Sequence, residues 1–164
     1  MNSLEVSGTT QPVPYMQRTR EYYEAQGFDR AYKYAHHNAA PFTPLPKPLA
    51  ECTVGLVTTA STYARASLEP RIIDSGSTRE PPERLYTDDL SWDKQATHTD
   101  DLNTFCPIKQ VEVLVKENIV GGLAPRFHCA ATEYSHRMTL EKDAPEILQR
   151  LREDGADVAL LVPL

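Results

Sequence analysis

A chain of 164 residues with 13 prolines and a net charge of −6 is long enough to bury a core, and its composition is not that of a disordered polymer. The acidic balance, with a pI near 5.3, argues against nucleic acid and anionic membrane as partners. No apolar run reaches the roughly 18 residues of a membrane span and residues 1–30 lack the basic-then-apolar order of a signal peptide, so the expected location is the cytoplasm.

Residues 1–13 mix Ser, Gly, Thr and Pro without apolar periodicity and read as a loose arm. From Tyr15 to about Asn38 the composition predicts a helix bent near Gly27. Its aromatics, Tyr15, Tyr22, Tyr23, Phe28 and Tyr32, suit either a partner-binding surface or packing within the chain's own domain. His36 and His37 are adjacent, point to different faces and make a poor metal pair. The prolines of residues 41–48 forbid a helix and predict a linker over the surface. The chain therefore divides into an arm, helix and proline-rich linker over residues 1–49 and an α/β domain over residues 50–164.

Cys52 to Thr59 reads as the first strand, with Gly55 marking close packing, and the small-residue loop Ala60-Ser61-Thr62 has backbone amides suited to a carboxylate or phosphate. No G-x-G-x-x-G accompanies it, so a dinucleotide fingerprint is absent. Residues 65–83 are charged and proline-containing and read as an excursion from the sheet, with a short strand at Arg84-Leu85-Tyr86-Thr87 after it. His98 stands two residues before Asp100-Asp101. A carboxylate on one imidazole nitrogen would orient His98 as a general base; equally, Asp100, Asp101 or Asn103 would cap the helix that follows.

Pro107 to Val120 carries Ile108, Val111, Leu114 or Val115, and Ile119 at helical spacing, closed by Gly121-Gly122. Arg126 to Thr132 reads as the next strand, and Glu133, Tyr134, Ser135 and His136 occupy the loop at its C-terminal end, where a site belongs. His128 and Cys129 alternate across that strand and cannot share a metal ion. The three cysteines, Cys52, Cys106 and Cys129, are odd in number and widely spaced. They point to reduced thiols, not to a disulfide framework or a zinc ribbon.

Asp143 and Glu146 have capping-box spacing, Pro145 suits a first turn, and Gly155 stops the helix. Val158-Ala159-Leu160-Leu161-Val162 is continuously apolar, which predicts a central strand buried on both faces of a parallel sheet. The fold class expected is α/β, an open, mostly parallel sheet with flanking helices in the Rossmann-like or flavodoxin-like manner. It is expected to be C-terminally incomplete, because no crossover helix follows the last strand.

The segment His98-Thr99-Asp100-Asp101-Leu102-Asn103, the run Gly121-Gly122-Leu123-Ala124-Pro125 and the ending Asp154 to Leu164 resemble the selenoprotein B family of glycine, sarcosine, betaine and D-proline reductases, in particular the selenocysteine subunit of D-proline reductase. The resemblance covers roughly residues 50 to 164. It implies a subunit of a complex that reductively cleaves a carbon–nitrogen bond at an α-carbon. In that family selenocysteine, or cysteine, directly follows the strand that Val158–Val162 resembles, so no catalytic nucleophile is expected within the chain and one is expected immediately after Leu164, a UGA codon having been read as stop. The selenolate is the nucleophile because a selenol is more acidic than a free thiol, whose pKa is about 8.5. The resemblance also implies a partner subunit bearing a pyruvoyl group, with an amino-acid or betaine substrate held on it as an iminium-like adduct; this chain itself is expected to bind no cofactor and no metal. It supplies His98, Asp100, Asp101 and His136 as candidate pocket residues, to which the loop position adds Glu133, and leaves a homo-oligomer open. The alternative reading is a small, non-catalytic α/β module that binds a ligand or partner; it predicts a buried Val158–Leu164 strand, whereas an incomplete enzyme domain predicts an exposed sheet edge or face.

Overall fold

A computed structural model of the chain describes residues 14–28, 30, 35–40, 43–64, 71–87, 99–130 and 135–163. The chain falls into two units, Met1–Ala40 and Pro41–Leu164. In the first, helix α1 (Tyr15–Ala25) ends two residues before Gly27, whose φ of +83° turns the backbone out of the helix. No α1 side chain is buried, and Tyr22, Tyr23 and Phe28 stack edge to face. The aromatics of residues 31–34 lie outside the described residues.

The second unit is built on a four-stranded sheet of order β2-β3-β1-β4, comprising β1 (Thr53–Thr58), β2 (Asp74–Ser77), β3 (Gly122–Cys129) and β4 (Val158–Val162). β1 is central and parallel to both β3 and β4, while β2 runs antiparallel along β3. The described sheet is therefore an open, mostly parallel α/β arrangement. Between β1 and β3 the register slips from Val54↔Leu123 to Leu56↔Phe127, across the stretch holding Pro125, which has no N–H for the ladder.

Alternation along the strands gives the sheet two different faces. One carries Val54, Leu56, Phe127 and Cys129, which join Phe105, Cys106, Ile108 and Val111 in the hydrophobic core beneath helix α2 (Ile108–Lys116). Each large side chain buried there contributes about 1.5–3 kcal/mol relative to exposure. The other face carries Val57 and His128 and is covered by helix α4 (Ala144–Glu153), whose Leu151 lies against Gly55; a β-carbon at residue 55 would collide with that leucine. Gly155, at φ +71°, ends α4 where the spacing predicts.

Four expectations need correction. Residues 65–83 are not simply an excursion, because Asp74-Ser75-Gly76-Ser77 is strand β2. It lacks apolar alternation and is specified by its main-chain pairing with β3 and by Thr78, which bonds the carbonyls of Ala124 and Pro125. Arg84–Thr87 is not a strand: Tyr86 makes an isolated bridge to Ser61. Asp143 does not cap a helix. It has helical dihedrals inside a π-helical turn (Thr139–Asp143) that joins α3 (His136–Met138) to α4, and the cap upstream is Ser135, whose hydroxyl accepts from the Met138 N–H. β4 is not central but lies at the edge of the described sheet, with Leu160 41% and Leu161 67% exposed. Its apolar run reflects the face it shares with β1 and the unpaired edge, not burial on both sides.

Candidate functional site

At the C-terminal ends of the three parallel strands a groove of about 600 Å³ opens between the sheet and α4. This is the position at which open α/β sheets place their ligands. Its walls are aliphatic: Val57 of β1, Leu161 of β4, and Ile147, Leu148 and Leu151 of α4, with Pro163 at one end. Thr58, Thr59, Thr139 and Asp143 supply its polar groups.

Asp143 is the charged lining residue, and its charge is already matched. Arg71 Nε lies 2.9 Å from both carboxylate oxygens, a second Arg71 nitrogen bonds Asp143 again, and that nitrogen reaches Thr139 Oγ1 at 3.0 Å. The two side chains are only 8% and 7% exposed. The π-helical turn is what presents Thr139 and Asp143 together to one guanidinium; such bulges recur at functional sites. The groove is thus an apolar slot with a neutralised ion pair at its rim, suited to the hydrocarbon part of a ligand.

The loop after β1 does use its donors on a carboxylate, but an internal one: the Thr62 N–H and hydroxyl both bond Asp74. The Ser61 N–H bonds the Tyr86 carbonyl. The Thr62 amide ties the loop after β1 to β2, and the Ser61 amide ties it to the segment around Tyr86.

The sequence-predicted site residues fall in separate places. His98 and Glu133 lie outside the described residues. Asp101 takes the capping role: its Oδ1 accepts from the Asn103 N–H at 3.0 Å at the start of the short 3₁₀ turn Leu102–Thr104. Asp100 and Asp101 line a second cleft, of about 550 Å³, with Arg79, Glu83, Lys109 and Glu112. His136 is exposed at the head of α3. None of these described residues lines the groove. Arg71, Thr58, Thr59 and Thr139 escaped the sequence reading, and only the position of Thr58-Thr59 at the end of a strand could have pointed to them.

All three cysteines are buried and none is in a disulfide. Burial pushes the Cys106 thiol up to about 12, which makes it a poor nucleophile. His128 and Cys129 do face opposite sides of β3, the cysteine in the core under α2 and the histidine under α4.

Fold and groove together define an open α/β domain with an apolar slot at its strand ends. Among curated proteins, the chain is 29% identical over 126 residues to the D-proline reductase subunit gamma of Acetoanaerobium sticklandii, an alignment covering 73% of this chain and 52% of that protein. The chain spans about half the length of this curated relative. No protein-family model matches the chain, and no solved structure matches it.

Proposed function

We propose that this chain is part of a subunit of a reductase complex of the D-proline reductase type, which reductively cleaves a carbon–nitrogen bond at the α-carbon of an amino acid or betaine in the cytoplasm. The observation that carries this reading is the alignment with the gamma subunit, which runs over most of the α/β domain. Two structural features support it. The groove lies at the strand ends, where this chemistry would be sited, and its aliphatic walls suit the hydrocarbon of a substrate. The exposed β4 edge favours a domain that packs against further polypeptide over a self-contained binding module.

In this reading the nucleophile is a selenolate or thiolate carried immediately after Leu164, at the end of β4 and beside the groove. Its attack on the α-carbon would break the C–N bond, the electron pair leaving with the nitrogen, and would leave the carbon on selenium or sulfur; a further thiol would then attack that atom, release the carbon as a C–H product with one proton, and leave a selenide–sulfide or disulfide that an external dithiol reduces. The pyruvoyl group of a partner subunit would supply an electrophilic carbonyl for the substrate amine. This chain's own residues do the holding: Val57, Ile147 and Leu161 pack the hydrocarbon, and Arg71 with Asp143 fixes the rim.

The test begins with the codon that follows Leu164. A UGA with an in-frame cysteine- and histidine-containing continuation is expected. The extended chain, made with cysteine or selenocysteine at that position and mixed with the pyruvoyl-bearing partner and a dithiol as electron donor, should turn D-proline, glycine or betaine over, while the 164-residue chain under the same conditions gives none. Equal turnover by the 164-residue chain, or none from the extended one, overturns the reading.

A further inference from the structure

The face of the sheet beneath α4 holds a polar cluster that the reaction does not use. His128 is fully buried there, with Val57 beside it on β1 and Ser75 beside it on β2. Ser75 Oγ lies 2.8 Å from His128 Nδ1 and receives a hydrogen bond from Arg150 Nη1 of α4 at 2.7 Å. Arginine can only donate, so the serine oxygen accepts from it and the serine hydrogen is left for Nδ1. With the serine hydrogen given to Nδ1, the imidazole proton sits on Nε2, the edge that faces the Asp154 carboxylate.

Nε2 faces Asp154, the C-cap of α4, with Oδ2 at 3.3 Å. At that separation Nε2 makes no formed hydrogen bond, and the carboxylate simply faces the buried ring edge. Arg126 of β3 holds the same carboxylate, its Nε lying 2.8 and 3.1 Å from the two oxygens. Arg150 and Asp154 are one helical turn apart, so the neutral ring touches, directly and through Ser75, both ends of the last turn of α4.

The charges around the ring come from every side. β3 contributes Arg126. α4 contributes Arg150, bonded to Glu146, together with Asp154 and with Glu153, which pairs with Arg126. β2 contributes Ser75, beside Asp74 whose carboxylate is engaged by Thr62, and β1 contributes only Val57. Burial holds the His128 pKa below its ordinary value. The Asp154 charge opposes that shift and the Arg126 and Arg150 charges add to it.

We propose that Ser75, His128 and Asp154 form an acid-released latch: the neutral imidazole seats α4 on β2 and β3, and its protonation unseats the helix that walls the groove. The latch regulates the groove whatever fills it and does not depend on the reductase reading. Its sign follows from linkage. A histidine whose pKa is depressed in the seated state stabilises that state fully above the unperturbed value of about 6.5, and the contribution is lost as pH falls through the seated value.

Amide hydrogen exchange on the full 164-residue chain at pH 7.5 and 5.5, corrected for intrinsic rates, tests this. Protection of α4 amides relative to α2 amides should fall at pH 5.5 by up to about tenfold, the limit set by an unseated pKa of about 6.5. In His128→Asn that ratio should not change with pH. An unchanged ratio in the wild-type protein, or wild-type pH dependence in the variant, overturns the latch. If the variant does not fold, the ring resonances of the wild-type protein decide: a His128 that titrates at or above about 6.5 overturns it, and one that stays neutral until α4 loses protection supports it.

Discussion

Arg71 and Asp143 are joined across 72 positions of sequence and are almost fully withdrawn from water. A pair so placed contributes little against an apolar replacement of the same volume, but removing one partner strands the other charge. Asp143→Ala should therefore cost about 3–5 kcal/mol in urea unfolding, while the double variant Arg71→Met, Asp143→Leu should lose far less. A small loss from the single variant would show that the guanidinium reaches water and that the groove rim is looser than described. Nothing in the local sequence announces this pair. Asp143 with Glu146 has the spacing of a capping box, and spacing cannot reveal a partner far upstream. The same limit hid Ser75 and Asp154, each ordinary in its own segment and joined only because β2 and the end of α4 meet over His128.

Among the elements, those specified by periodicity were legible and those specified by pairing were not. β1, the α2 helix and the α4 to β4 unit follow from apolar spacing, a proline start and, for α4, a glycine stop, and the structure has these elements; α2 itself ends at Lys116, ahead of Asn118 at φ +57°, and Gly122 opens β3 instead of closing the helix. β2 could not be read from Asp-Ser-Gly-Ser, because its identity is given by the edge that β3 offers it. β4 was legible as a strand but not as an edge, since an apolar run does not say how many neighbours it will have. Its position has a measurable consequence. Leu161 projects from the sheet face under α4 with two thirds of its surface exposed, so Leu161→Lys should change unfolding stability by no more than about 0.5 kcal/mol. The same variant should reduce self-association in sedimentation, because a lysine guards an edge strand against pairing. A stability loss well above 1 kcal/mol would place β4 inside a packed interface.

For the molecule as a whole, the buried core cluster among the described residues is drawn from Val54 to Cys129 of the second unit. A chain beginning at Pro41 should therefore unfold cooperatively with a midpoint within a few degrees of the full chain, as checked by calorimetry; a broad or absent transition would mean that residues 1–40 belong to the core. The site was less legible than the fold. The strand-end location followed from the parallel β-α-β pattern, but the groove's lining comes from four separated segments. Two of the predicted pocket residues that the structure describes, Asp100 and Asp101, sit in a different cleft.

Asp157, just before β4, accepts the Thr53 N–H at the start of β1 and is bridged at 2.8 Å by Lys47. The linker is thereby pinned where the parallel strands begin, at the pole opposite the groove. An affinity handle or fluorophore attached through residues 43–46 would accordingly leave the strand-end slot facing solution, so this domain can be tethered to a sensor surface by its linker and screened for ligands and partners in one fixed orientation.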